Sequence, residues 1–331
     1  MLRSLVAPKT PPEGEELTFR RNLAQESLEE ALSNGDNIVW LDVVDPTDEE
    51  ISWLERCFKL HPVIVNDLRR EDRRPSLIVY PEYLFLSLFQ PQIRANAVQG
   101  QEIHCVVGPQ YLLTVRNANS TAVDSAYDRA ATSPEYWKRG VPYLLYLTTQ
   151  FVVDSYYPLL DRISNQLNKL EEKALANGDR ITQKSVFLIK QQLINLRQMV
   201  APQREVLSNA IGEERLAKTN EDRDLFRHLY ERLLRIYDVI DAQRDLASNV
   251  LDLVESQHSV TMANAVSRLT IFSMIFLPLT FLVGLFGLNF VTTNPEFAIP
   301  ISGESLFWLI LILTAISAAV MAWFFRRRGW L

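Results

Sequence analysis

The sequence predicts an α+β membrane protein: an N-terminal cytoplasmic α/β domain, a long helical stalk, and two C-terminal transmembrane helices, the first continuous with the stalk. Three observations carry this. Strand and short-helix signals alternate up to about residue 140. From Glu221 onward no proline or glycine interrupts a helical pattern before Pro278. Charge almost vanishes after Arg268: Leu269 to Val291 and Ser305 to Phe325 are uncharged, and the second is apolar but for Ser305, Thr314 and Ser317. About 20 such residues cross a bilayer core of roughly 30 Å.

The elements follow in order. The first 35 or so residues are polar, and "TPPEGEE" (Thr10 to Glu16) reads as loop. "NIVWLDVVD" (Asn37 to Asp45) reads as a buried strand. Asp45-Pro46 is expected to open a helix, with Asp45 as cap, Asp48, Glu49 and Glu50 at the positive end of its dipole, and Ile51, Leu54 and Phe58 as its apolar stripe. "HPVIVNDLRR" starts a second short helix in the same way. Leu77 to Tyr80 and Tyr83 to Phe89 are strand candidates, and "EIHCVVGPQYLLTVR" reads as a hairpin turning at Gly108-Pro109. Tyr143 to Ala176 then reads as one long helix stopped by Asn177-Gly178, and Ile181 to Ile211 as a second with a kink at Pro202. The third carries the stripe Leu225, Leu229, Leu233, Ile236, Ile240, Ala247, Val250, Val254 and runs on into the first span. The organisation is therefore 1–140 α/β domain, 141–267 helical and stalk region, 268–290 first span, 291–304 extracytoplasmic loop, 305–325 second span and 326–331 basic tail.

Flanking charge sets the expected orientation. Arg268 precedes the first span and Arg326, Arg327 and Arg328 follow the second, whereas the loop from Asn289 to Glu304 has no Lys or Arg. The positive-inside bias puts both termini in the cytoplasm of a multi-pass protein of the inner or plasma membrane. "MLRSLVAPKT" has no apolar stretch long enough for a signal peptide. Cys57 and Cys105 then sit in a reducing compartment and are expected as free buried thiols. Residues 1–267 hold 30 basic and 38 acidic residues, which argues against nucleic acid as a partner.

No enzyme signature is present: no G-x-G-x-x-G, no G-x-x-x-x-G-K-S/T, no H-E-x-x-H and no paired C-x-x-C. His61, His104, His228 and His258 are scattered, and His104 and Cys105 point to opposite faces of a strand. The chemistry-bearing segment is instead "PLTFLVGLFGLNFVTTNPEF", Pro278 to Phe297. On a helix Leu269, Ser273, Leu277, Thr280, Gly284 and Gly287 share one face, against a face dominated by Phe276, Leu279, Val283 and Phe286. Pro278 removes the donor for the Met274 carbonyl, which hydration beside a water-filled path can satisfy. A small-residue stripe suits close helix packing in an oligomer equally well. Asn289, at the outer end of the span, would contribute a ring of neutral oxygen dipoles, which suits a hydrated Mg²⁺. Glu296, with Glu304, adds potential that attracts cations.

These residues resemble the CorA family of divalent-cation transporters, whose hallmark is Gly-Met-Asn before such a loop. The resemblance extends over "DPTDEEISWLERCFKLHPVIVNDLRREDRRPSLIVYPEYLFLSL", "QLINLRQMVAPQREVLSNAI", "DLFRHLYERLLRIYDVIDAQRDLASNVLDL" and the basic end "FFRRRGWL". It implies a funnel-like homopentamer whose first span lines a central pore and whose second faces lipid. Matched by position, the pore face is Leu269, Ser273, Leu277, Thr280, Gly284, Gly287, Leu288 and Asn289, and Asp252 matches a stalk carboxylate that helps bind regulatory Mg²⁺ between subunits. Three departures stand out. Leu288 replaces the hallmark Met, as the middle position also varies in the related zinc-transporting ZntB branch. Ala263 takes a site where the family often has Asn, with Asn264 one residue off that face. Phe89 to Gln101 has no acid where a partner for the stalk carboxylate is expected.

The reading is thus Mg²⁺ uptake (with Co²⁺ or Ni²⁺ as related cargo) through a homo-oligomeric pore, with no enzymatic activity and no organic cofactor. Its partners are further copies of itself, the bilayer and divalent cations. The alternatives are a zinc or broader divalent-cation transporter on the same fold and a non-conducting, membrane-tethered scaffold or sensor.

Overall fold

The computed structural model describes residues 1–9, 18–70, 73–94, 97–177, 180–287 and 303–327. Their contacts divide the chain into two units: Met1–Lys173 with Arg180–Leu251, and Ala174–Asp179 with Asp252–Leu331. The first unit is built on seven strands: β1 (Leu2–Pro8), β2 (Arg20–Arg21), β3 (Asn37–Val44), β4 (Ser76–Val79), β5 (Leu84–Arg94), β6 (Ala97–Val107) and β7 (Tyr111–Arg116). They form one sheet in the order β2-β1-β3-β7-β6-β5-β4. Among the described residues only β3 and β7 pair in parallel.

Helices cover both faces of this sheet. On one side α1 (Gln25–Ser33), α2 (Asp48–Phe58) and α3 (Pro62–Arg69) close a core of Leu28, Val39, Leu41, Leu54, Phe58, Ile64, Phe85, Val106 and Leu113. On the other lie α4 (Thr121–Thr132), α5 (Pro134–Lys138), α6 (Val141–Asp154) and α8 (Arg180–Gly212). A strand covered on both faces has no polar side to offer water, and β3, "NIVWLDVV", is accordingly apolar at every position but its first residue and Asp42.

Asp42 is fully buried and its charge is matched on the spot. Arg116 of β7, itself buried, donates to Asp42 Oδ2 at 2.8 Å and to Asp124 of α4 at 2.6 Å. Arg3 of β1 donates to the same two carboxylates at 2.8 and 2.6 Å, and Thr114 donates to Asp42 Oδ1 at 2.6 Å. Three strands and a helix thus meet at one carboxylate.

Several local expectations hold and others shift. The Gly108-Pro109 hairpin forms, and it needs glycine because an added Cβ would overlap the Tyr111 ring. The helix expected from Asp45 starts later: Thr47 is its cap, closing a capping box with Glu50 (2.9 and 3.2 Å), while Asp45 has φ +50° and donates its N–H to Arg116 O at 2.7 Å. The second short helix is capped by the His61 ring, with Pro62 as its first residue. The first 35 residues are not mere polar lead-in, since β1 buries Leu5, Val6 and Ala7 against β3; "TPPEGEE" lies outside the described residues.

The single helix expected from Tyr143 to Ala176 is two, α6 and α7 (Tyr156–Asn177), divided at Ser155. Pro158 explains the break: it has no N–H for the carbonyl of Asp154, and its ring crowds that carbonyl. The division puts buried Tyr156 where its hydroxyl donates to Phe89 O at 2.9 Å. Gln203 of α8 accepts from Phe89 N at 3.0 Å and donates to that same hydroxyl at 2.7 Å, so one backbone unit of β5 is satisfied by two helices. Pro202, beside it, is accommodated inside α8. The longest helix, α9 (Asn220–Gly287), buries Phe226, Leu229, Leu233, Ile236, Ile240, Ala247 and Val250. Phe226 replaces the expected Leu225 at the start of that stripe, and Leu225 is half-buried.

Two outcomes follow for stability. Arg116→Leu leaves Asp42 short of its main partner and should cost about 3–5 kcal/mol in denaturant unfolding, the range for a broken buried pair. His104 is buried beneath the Phe85 ring, and burial, then the nearby Arg73 charge, pushes it from its ordinary 6.5 down to about 4. Its ring is therefore neutral, and the 3.4 Å approach to Glu102 is no ion pair at neutral pH. Because the unfolded chain takes up the proton first, stability should fall as pH drops from about 6.5 to about 4. In His104→Gln that slope should be shallower across the same window in thermal melts.

Candidate functional site

The site expected from sequence lies on α9 beyond Leu251 and on α10 (Gly303–Arg327), both in the second unit. Each includes a stretch long and apolar enough to cross a membrane. Charge is absent from α9 after Arg268 because any charge at mid-bilayer is costly, and the backbone stays helical because lipid offers its polar groups no partner.

Burial divides α9 into two sides. Ile271 is buried and Ile275, Pro278 and Leu279 are partly covered, a run at steps of four, three and one. On α10 the least exposed positions are Ile310, Thr314, Ser317, Ala318, Met321 and Phe325, with the same helical spacing. Both runs have the period of a helix–helix seam. At 100° per residue the seam of α9 lies about 180° from the line through Leu269, Ser273, Leu277, Thr280, Gly284 and Gly287.

That line is open. Leu269 is 66% and Leu277 71% exposed, and Ser273, Thr280 and Gly284 are exposed as well. The structure therefore brings these residues onto one uncovered face. Of the face set against them, Leu279 is partly covered with Ile271, Ile275 and Pro278, whereas Phe276 is half exposed and lies off that seam; the side chains of Val283 and Phe286 lie outside the described residues. Sequence projection missed this because Phe and Ile are equally apolar, and only burial separates a covered side from a lipid-compatible one.

The polar members of the line have a defined hydrogen-bond state. Ser273 Oγ donates to Leu269 O at 2.9 Å and Thr280 Oγ1 donates to Phe276 O at 2.8 Å. Their protons are committed to the helix, and their lone pairs face outward as acceptors. Gly284 is not demanded by its own chain, since an added Cβ would meet nothing within 4 Å. Its missing side chain matters only to something outside the protomer.

Leu288, Asn289 and Glu296 lie outside the described residues. Asp252 is exposed on α9, as are Ala263 and Asn264. Among the described residues no three His, Cys, Asp or Glu side chains come together as a metal site. Both thiols are free and poor ligands at neutral pH: burial pushes Cys57 up to about 11 and Cys105 up to about 12.

The chain is similar to known proteins along nearly its whole length. A family described as CorA-like Mg²⁺ transporter protein matches residues 35–327. The chain is 26% identical to a cobalt/magnesium transport protein CorA of Thermotoga maritima, over 83% of this chain and 78% of that one. It is 24% identical to a zinc transport protein ZntB of Pectobacterium atrosepticum, over 92% and 91%. Its fold superposes on the complete CorA magnesium transporter of Methanocaldococcus jannaschii with a TM-score of 0.83, covering 99% of this chain and 98% of that one at 20% identity.

If Gly284 served the lone helix, Gly284→Ala would be neutral or stabilising by about 1 kcal/mol. The open face predicts otherwise: the variant should leave the melting of the first unit unchanged while changing the self-association of the protein in detergent, read by light scattering.

Proposed function

Because this chain belongs to the CorA-like Mg²⁺ transporter family, we propose that it carries a divalent cation, Mg²⁺ before others, down its gradient through a pore built from several copies of itself. The observation that carries this reading is the uncovered line on α9, opposite the seam and composed of small, apolar and acceptor-only groups. Copies arranged about an axis with that line inward, five by the resemblance, cover Leu269 and Leu277 and give Gly284 its reason. They leave α10 on the lipid side.

Mg²⁺ releases water reluctantly and prefers oxygen ligands. A path for it therefore needs acceptors that contact the hydrated ion, with no fixed charge to trap it. Ser273 and Thr280 are such acceptors, and a ring of Asn289 with Gly287 beside it is the proposed entrance, fed by the potential of Glu296. Leu269 and Leu277 form the narrow apolar rings between them. With both termini in the cytoplasm, as the flanking arginines imply, an inside-negative membrane potential drives uptake of a divalent cation. The chain does no covalent chemistry in this reading. Asp252, exposed on the cytoplasmic run of α9, is the proposed contact for Mg²⁺ bridging neighbouring copies.

Zinc transport is the second reading. It is favoured by Leu288 in the middle of Gly-Leu-Asn and by the similarity to the ZntB protein along nearly the whole chain.

The test is uptake into proteoliposomes. Mg²⁺ flux should follow an imposed voltage and fall by about tenfold or more in Asn289→Ala, with the oligomer intact. Zn²⁺ flux that requires a proton gradient, without Mg²⁺ flux, would replace the first reading by the second. No flux of either ion would overturn both. Asp252→Asn should shift flux inhibition by internal Mg²⁺ to higher concentration, since it removes one anionic ligand per copy.

A further inference from the structure

Away from the apolar helices, the first unit contains a groove of about 420 Å³ between α7 and α8, closed at one side by Ile93 of β5. Its size falls within the roughly 300–1,000 Å³ typical of ligand pockets. The floor is aliphatic: Leu159, Ile163 and Ile189 are buried, and Leu170 lies along it. One rim is cationic, formed by Arg162, Lys169 and Lys173 of α7, with Gln166 between them. The opposite rim, on α8, carries Ser185, Leu188 and Gln192.

Two features separate this rim from an ordinary solvated helix face. No carboxylate lines the groove. Among the described residues none of the three cations has an acidic partner, although α7 also carries Asp161, Glu171 and Glu172. Asp161 and Glu171 project from other sides of α7, and Glu172, three residues after Lys169, makes no ion pair with it. Three like charges lie along one edge of an apolar trough that has no carboxylate in its lining.

The spacing narrows the occupant. Lys169 and Lys173 are one turn apart, about 6 Å, which suits two successive phosphates of a chain. Arg162 lies two turns from Lys169, about 10 Å along the axis, at the end of the groove where Leu159 and Ile163 form the floor. There its planar guanidinium can stack on a flat ring lying over Leu159 and Ile163. A free phosphate would use one cation and waste the floor, and an uncharged apolar molecule would waste the rim. We infer that this groove binds a nucleoside polyphosphate, base over the aliphatic floor against Arg162 and phosphates along Lys169 and Lys173. The site lies outside the proposed path and does not depend on it.

Isothermal titration of the purified full-length oligomer, in Mg²⁺-free buffer, tests this without measuring flux. The probes are ATP, inorganic tripolyphosphate and adenosine. ATP should bind tighter than either fragment by about tenfold or more, and Lys169→Gln with Lys173→Gln should weaken it by at least about tenfold, as expected for lost charge-assisted contacts. Ile93→Trp, at a partly exposed position, should weaken it by filling the groove, and Lys184→Gln, on the same helical pair but outside the groove, should not. The proposal is overturned if ATP does not bind, if tripolyphosphate binds as tightly as ATP, or if the two lysine changes have no more effect than Lys184→Gln.

Discussion

The first unit is organised around one carboxylate. Asp42 sits at zero exposure in a strand that both layers of helices cover, where an unpaired charge would be intolerable. Its two guanidinium partners come from the strands on either side, Arg3 on β1 and Arg116 on β7, and both reach on to Asp124 of α4. That geometry fixes the register of β1, β3 and β7 relative to one another. A slip of one residue would turn Asp42 towards the other helical layer and strand both arginines. The parallel β3–β7 pair, the one parallel pairing among the described residues, is thereby pinned at the point where connections between strands are longest. From this pinned centre the sheet extends outward to β5, whose Phe89 backbone is gripped by Tyr156 and Gln203, and so to the long helices.

Much of this was legible in the chain before any coordinates. The strand at Asn37, the Gly108-Pro109 hairpin and the long uninterrupted helix were readable because each has a strong local signature: a two-sided apolar run, a turn dipeptide, and an absence of breakers. What was missed depended on tertiary context. β1 is short and starts at the first residues, and its burial is decided by β3 rather than by its own pattern. Pro158 is one proline in an otherwise excellent helical pattern, yet it divides α6 from α7. Asp45 reads in the sequence as the cap of α2, but the capping box of Thr47 with Glu50 starts the helix at Asp48 instead.

The candidate face was legible as a set of residues but not as a surface. Helical spacing alone put Leu269, Ser273, Leu277, Thr280 and Gly284 together. Burial had to show that the seam of partly covered residues runs along the other side of α9, leaving that set exposed among the described residues. Neither spacing nor composition gave any sign of the α7–α8 groove. Its cations are ordinary helix-surface residues until the packing of the two helices puts an aliphatic floor beside them.

The hydroxyls of Ser273 and Thr280 have a consequence for the sign of charge. Water around a cation turns its hydrogens outward, so it meets these oxygens as donor to acceptor. An anion, or the donor-poor outer side of its hydration shell, meets lone pairs with lone pairs. Turning either hydroxyl round would break its bond to Leu269 O or Phe276 O. A route along this face would thus favour positive over negative ions with no formal charge in its wall. It would owe that preference to two hydrogen bonds within a single helix.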